Sequence, residues 1–503
     1  MSHIDSLKSL FSQINDVYSA ASLLSWDQET YMPKGAGDSR SRTIGTLSRI
    51  AHEMSTSDEF ARALEGAEQE VQHLDEESDE ALMVWWARHD FEKAIKLPAD
   101  FVHELSEVSS RSTQVWQVAR KDDDFERFAP WLERMVALQQ QAAEYLGYEA
   151  HPYDALLDQY EPEITHAEVK EIFDSLRRET VPMVHWIAEH SHVVTDEPLR
   201  RHFDEATQWR LAREVTAMIG YDYEHGRLDP TAHPFCSTIN VGDVRITGRA
   251  EENFFNPLFF GSLHEAGHGI YEQGLPKSLS RTPIGSAAST AMHESQSRLW
   301  ENTVGRSHSF WEFYYPKLQA AFPQTLDDVS LDDFYKAINK VTPTLIRVEA
   351  DEVTYNLHVM LRFELESKLI SGELAVADLP QRWNEKMEEY LEIVPQNNAN
   401  GVLQDIHWSI GLFGYFPTYA LGNVIASQLA AAALREHPTI SDEIRHGDFS
   451  TLFNWMHRNV HQQGRRYHPE VLIARATGEE LSTSAYLGYL RNKFGDVYGL
   501  NGA

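Results

Sequence analysis

The chain of 503 residues carries 44 Lys and Arg against 77 Asp and Glu, a formal net charge of −33, which opposes binding to nucleic-acid phosphates and to anionic membrane surfaces. With 42% hydrophobic and 24% charged residues it has the make-up of an ordinary globular protein, and no apolar run is long enough to cross a bilayer. A single cysteine, Cys236, excludes an internal disulfide. The first twenty residues lack the basic head and apolar stretch of a secretory signal, so a cytoplasmic protein is expected.

Taken in order, the chain reads as helix almost throughout. Apolar residues keep helical spacing to about Ala20. The segment around Trp26 and Asp27, closed by Pro33 and followed by Gly35 and Gly37, reads as a loop. Helix resumes over 40–54 and again over 78–96, where Pro98 stops it; Trp85 and Trp86 read there as core or the wall of a cleft. Asp122, Asp123 and Asp124 read as a solvated turn. Pro130 is expected to open a helix with Trp131, Met135 and Leu138 on one face, ending near Gly147. Thr165 and Glu168 form a capping box ahead of Val169, Ile172, Phe173 and Leu176.

The pattern breaks at 236–247, where residues alternate around a Val241-Gly242-Asp243 turn. This predicts a short hairpin, the one convincing β stretch. From Ser289 helices continue to the end. No repeat, low-complexity stretch or long linker divides the chain, so one domain over 1–503 is expected, with room for two lobes.

Just after the hairpin lies NPLFFGSLHEAGHGIYEQG, residues 256–274. Asn256 suits an N-cap, Pro257 the first helical position and Gly274 a left-handed C-terminal cap, giving a helix of about five turns. Within it, His264-Glu265-Ala266-Gly267-His268 is an H-E-x-x-H motif. Residues four apart share a helix face, so the two imidazoles can hold one ion while Glu265 reaches a water upon it. This donor set suits zinc with an open coordination position.

A plain core helix is the competing reading. Against it, Gly267 and Gly269 each weaken a helix interior by about 1 kcal/mol relative to Ala, a cost that suggests close approach by a neighbour. Two histidines and a carboxylate are also expensive to bury unless paired or bound to metal.

A catalytic zinc usually has three protein ligands. A third histidine six residues beyond His268 is excluded, because position 274 is Gly. The stretch from Ser289 to Glu301 offers His293 and Glu294. Adjacent helical positions point about 100° apart, so only one of them faces the ion. Glu294 is preferred, since Ser295, Gln296 and Ser297 suit a supporting polar shell.

The H-E-x-x-H motif followed by His293-Glu294-Ser295-Gln296 resembles the carboxypeptidase Taq family of metallocarboxypeptidases. Further motifs of that family occur in order: His233-Pro234-Phe235, Asp243-Val244-Arg245-Ile246-Thr247, Ile346-Arg347-Val348-Glu349-Ala350-Asp351 and Gly401-Val402-Leu403-Gln404-Asp405-Ile406-His407-Trp408. The Trp26-Asp27 region and Tyr486-Leu487 extend the resemblance over the whole chain. It implies a mostly helical domain with a deep substrate groove, similar to neurolysin and angiotensin-converting enzyme, with the hairpin or a small sheet at the groove edge. It also implies a homodimer that removes single residues from peptide C-termini. One divalent metal per chain is implied, zinc first with cobalt or manganese able to serve, held by His264, His268 and Glu294, with Glu265 as the base.

Other positions follow from the chemistry. The tetrahedral oxyanion needs donors besides the metal; His407 and the phenols Tyr415 and Tyr419 are candidates, with core packing as the alternative for the tyrosines. A terminal carboxylate calls for Arg. Arg347 is the candidate, with Tyr419 beside it, and an internal ion pair with Glu349 or Asp351 is the competing expectation. Arg245 shares a strand face with Asp243 and Thr247 and reads as scaffold or groove edge, and His233 as a residue lining the cleft. A metal-dependent oligopeptidase or dipeptidyl carboxypeptidase is the alternative activity. A non-catalytic peptide-binding protein fits less well, because the base Glu265 is intact.

Overall fold

A computed structural model describes residues 2–499. The chain forms two compact units, Met1–Ile95 with Asp196–Ile338 and Ile425–Leu481, and Lys96–Thr195 with Asn339–Val424 and Ser482–Ala503. Both are predominantly helical.

In the first unit, one helix runs His3–Thr30, through the Trp26-Asp27 segment expected to be a loop. Trp26 is buried, and Arg40 donates to the Leu24 carbonyl and to Asp27, both at 2.7 Å, which holds the last turns in helical form. The break comes only at Tyr31, two residues ahead of Pro33. Leu7, Ile14, Ala51, Phe60, Leu64 and Trp86 share a core with Leu279 and Ile284. The connection that follows the motif helix is thereby tied to the N-terminal helices. Trp86 is core, as one reading had it, whereas Trp85 is 45% exposed.

The expected hairpin is present: β2 (Cys236–Asn240) pairs antiparallel with β3 (Asp243–Gly248). A further strand, β1 (Gly226–Pro230), pairs parallel with β3, giving the order β1-β3-β2. Strand β1 has one apolar residue inside it, Leu228, and ends on a proline, so it carries no alternating signal. It is fixed instead by partners distant in sequence. Buried Asp229 receives the Tyr31 hydroxyl at 2.5 Å and Arg227 Nη2 at 2.7 Å.

The motif helix spans Asn256–Gln273. Asn256 is its first residue rather than its cap; Phe255 holds the cap position and contributes no side-chain bond. Gly274 is right-handed (φ −85°), so its small size serves packing instead: a β-carbon there would lie 2.7 Å from the His461 ring. Leu258, Phe259, Phe260, Leu263, Ala266, Ile270 and Tyr271 are all buried, while His264 and His268 stay partly exposed on one face. At Gly269 a β-carbon would meet the Tyr221 ring at 2.7 Å and Ile246 of β3 at 3.3 Å, so this glycine seats the helix on the sheet.

In the second unit, Ala99–Asp122 and Phe125–Leu146 are consecutive helices. Asp122 ends the first, and the turn between them is Asp123, left-handed (φ 57°), and Asp124, which caps the next helix by accepting from Arg127 N. That cap starts the helix five residues before Pro130, which sits inside it. The Thr165/Glu168 capping box opens His166–Glu189 as expected. Tyr355–Ser371 is an almost wholly buried helix carrying a polar stripe of Tyr355, His358, Arg362 and Glu366 at spacings of three and four. Among the described residues, no helix is long and apolar enough to cross a membrane.

Candidate metal centre

Two helices of the first unit build the centre. One is the motif helix; the other, Thr290–Arg298, is capped by Ser289, whose hydroxyl accepts from Met292 N, and continues as a π-helical turn over Leu299–Val304. They pack backbone to side-chain-free backbone. A β-carbon at Gly267 would lie 2.5 Å from the Gln296 carbonyl oxygen and 2.6 Å from Ser297 Cα, the close approach that the glycine's helix cost suggested.

This contact brings one face of each helix together. Ligand atoms of His264, His268 and Glu294 lie within 4.8 Å of one another. Glu294 Oε2 is 3.7 Å from His264 Nε2 and 3.4 Å from His268 Nε2. The other ring nitrogens are engaged. Nδ1 of His264 donates to Glu301 Oε2 at 2.9 Å, and Nδ1 of His268 donates to the His293 carbonyl at 3.0 Å. Both partners only accept, so each Nδ1 carries a proton and each Nε2 points inward toward Glu294; against the effect of burial, Glu294 and Glu301 raise His264. Two imidazole nitrogens and a carboxylate oxygen converging this closely fit a divalent metal.

His293 does not join them. Its Nε2 is 3.0 Å from Glu272 Oε1 and its ring stacks on His268 at 4.4 Å, so it buttresses His268. Glu294 is further held by Arg298 Nε at 2.6 Å and by the Ser297 hydroxyl at 3.1 Å.

Burial opposes ionisation of Glu294, but Arg298 and the two histidines overcome it and hold the carboxyl well below the usual range. Glu301 behaves likewise: burial works against the charge, yet the His264 hydrogen bond and the arginines bring it down to about 2. Burial, with His293 alongside, pushes His268 down to about 3, so it remains neutral and able to ligate. Glu265 is only 7% exposed; burial first, then the carboxylates Glu294 and Glu301, raise it to about 7.

The chain belongs to the carboxypeptidase Taq family. The model of the carboxypeptidase Taq (M32) metallopeptidases matches residues 6–494. The chain is 43% identical to thermostable carboxypeptidase 1 of Thermus thermophilus over 96% of each chain, and 38% identical to carboxypeptidase 1 of Bacillus subtilis over 97% of each. The crystal structure of an M32 carboxypeptidase from Deinococcus radiodurans superposes with a TM-score of 0.96 at 38% identity, covering 99% of both chains. The fold is therefore the mostly helical one expected, and the protein is a metallocarboxypeptidase; the oligopeptidase and binding-protein alternatives are not favoured.

The remaining candidates of this carboxypeptidase divide between the units. In the first, Arg245 is bonded twice to Asp243 (2.8 and 2.7 Å) and lies 4.2 Å over the Trp26 ring, while His233 is exposed on the connection between β1 and β2. In the second, Arg347 is 5% exposed and its partner is neither Glu349 nor Asp351. It donates to Asp405 (Nη2, 2.9 Å) and to the Tyr355 hydroxyl (2.9 Å), with the Tyr419 ring 5.0 Å away. Asp405 also binds Arg362 at 2.6 Å, so one carboxylate serves two buried guanidinium groups. His407 Nε2 is 3.3 Å from the Tyr419 hydroxyl, and the Tyr415 ring lies 5.2 Å from that of Tyr419. Burial, reinforced by Arg347 and Arg362, brings His407 down to about 4. Sequence reasoning brought Arg347, His407, Tyr415 and Tyr419 forward but missed Arg362, Arg298 and Glu301. Glu301 could have been found: it stands seven residues after Glu294, and Arg298 four after it, on one helical face.

Proposed function

We propose that the protein removes single amino acids from peptide C-termini, with one divalent metal held by His264, His268 and Glu294 and with Glu265 as general base. The observation that carries this reading is the convergence of two Nε2 atoms on Glu294 Oε2, with the buried carboxyl of Glu265 adjacent in sequence to His264. A metal held by these three residues would supply an activated water and polarise the scissile carbonyl. Glu265 takes the proton of that water and delivers it to the leaving amine. His407, Tyr415 and Tyr419 supply donors to the developing oxyanion. Arg347 receives the terminal carboxylate, a role supported by the pairing of two guanidinium groups with a single carboxylate, Asp405. Arg245 and His233 serve as scaffold and substrate-lining residues.

Zinc is the proposed ion, with cobalt or manganese as substitutes, and a cytoplasmic homodimer the proposed form. The family resemblance supports both, and the lone cysteine supports the compartment. Incubating the metal-loaded protein with a defined peptide and following it by mass spectrometry tests the activity. Stepwise loss of single C-terminal residues, abolished by chelation and restored by zinc, is expected. Internal cuts or dipeptide release would overturn it.

A further inference from the structure

Glu366 lies in the buried helix Tyr355–Ser371 and is fully enclosed. Its carboxylate accepts three hydrogen bonds: Oε1 from the Trp408 indole at 2.7 Å, and Oε2 from the Tyr153 hydroxyl at 2.5 Å and from Gly414 N at 3.1 Å. A buried carboxylate is costly unless so satisfied, and an apolar side chain would fill the same space. What the carboxylate adds is attachment at two chosen points. Trp408 directly follows His407, and Gly414 directly precedes Tyr415. The loop between them passes through left-handed Gly411 and Gly414 (φ 83° and 85°). At Gly414 a β-carbon would stand 2.7 Å from the Leu156 backbone, so the chain passes close against that backbone where its N–H meets Glu366.

We propose that Glu366 is a positioning residue that clamps both ends of the Trp408–Gly414 loop and so fixes His407 and Tyr415 relative to each other. The proposal rests on the reading that His407 and Tyr415 serve the reaction. With the clamp intact, the His407 ring sits 5.7 Å from Tyr415 and 4.4 Å from Phe416. Loss of either anchor lets the loop relax, and a displacement of about 1 Å at a reacting group costs about a hundredfold in rate.

Glu366→Gln tests this with little change of volume. One of the amide's two ends must face a donor, so one anchor is lost whichever way it turns. We expect kcat of the folded, metal-loaded variant to fall about tenfold to a hundredfold, with KM within about threefold. Trp408→Phe, which removes the Oε1 bond together with part of a buried ring packed on Trp383 and Phe413, should move kcat in the same direction and secures the test if Glu366→Gln folds poorly. In a His407→Ala/Tyr415→Phe background, Glu366→Gln should cost less than about twofold, because a residue acting through those two has nothing left to position. Wild-type kcat in both single variants would overturn the proposal. So would a full additional loss in the double-variant background, or a fall in melting temperature with unchanged kcat per folded enzyme. Failure of the wild type to release C-terminal residues would instead overturn the proposed function.

Discussion

Glu301 accepts the Nδ1 proton of His264 at 2.9 Å, and Arg298 joins that carboxylate to the proposed ligand Glu294, contacting Glu301 at 3.3 Å and Glu294 at 2.6 Å. The acceptor on Nδ1 determines which nitrogen of His264 is free to ligate. Glu301→Gln keeps the shape but can present an amide donor to the ring, so metal affinity should fall about tenfold to a hundredfold. Competitive titration with a chromophoric chelator measures this; unchanged affinity would remove Glu301 from the support of His264.

Glu265→Gln should retain the metal and lose about a hundredfold to ten-thousandfold in kcat. The side chain is nearly isosteric and the ligands are untouched, so elemental analysis should give wild-type occupancy. Turnover at the wild-type rate would show that another group takes the proton.

Glu294→Ala and His293→Ala should separate cleanly. Removing Glu294 deletes a ligand oxygen and leaves Arg298 without its nearest countercharge, so occupancy should collapse. Removing His293 takes away a ring stacked on His268 and a partner of Glu272, which should weaken binding far less. Isothermal titration of both variants with zinc checks the order, and the reverse order would make His293 the ligand.

Gly267→Ala should be severe for so small a change. The new methyl would overlap the Gln296 carbonyl and the Ser297 backbone, neither of which can swing aside as a flexible side chain would. Overpacking of this kind costs about 1–3 kcal/mol. Because the two helices carry the ligands, metal affinity should fall together with the melting temperature. Loss of stability with wild-type affinity would mean that the helices separate elsewhere.

Arg347→Lys distinguishes substrate recognition from internal pairing. Lys cannot reproduce a two-point contact with a carboxylate, so KM for free-acid peptides should rise, while peptides amidated at the C-terminus, already poor substrates, should change little. Equal losses on both, accompanied by a lower melting temperature, would restrict Arg347 to its bond with Asp405.

The part of the candidate metal centre carried by one helix was legible in the sequence because its geometry is local. His264 and His268 share a helix face by spacing alone, Glu265 follows from the same turn, and the glycine at 267 announced a close neighbour through its helix cost. The β2–β3 hairpin was legible for the same reason, as alternation around a turn. What tertiary structure decided lay in long-range partners. Strand β1 exists because β3 and Tyr31 satisfy a sequence with no strand periodicity. The first helix continues through Trp26 because Arg40 and burial outweigh the nearby Pro and Gly signals. Asp405, rather than the sequence neighbours Glu349 and Asp351, answers Arg347, since a guanidinium buried at one point of the chain pairs with whichever carboxylate the fold delivers there. Glu366 is the extreme case: nothing in its surroundings in sequence marks it, and only the fold brings Tyr153, Trp408 and Gly414 to its two oxygens.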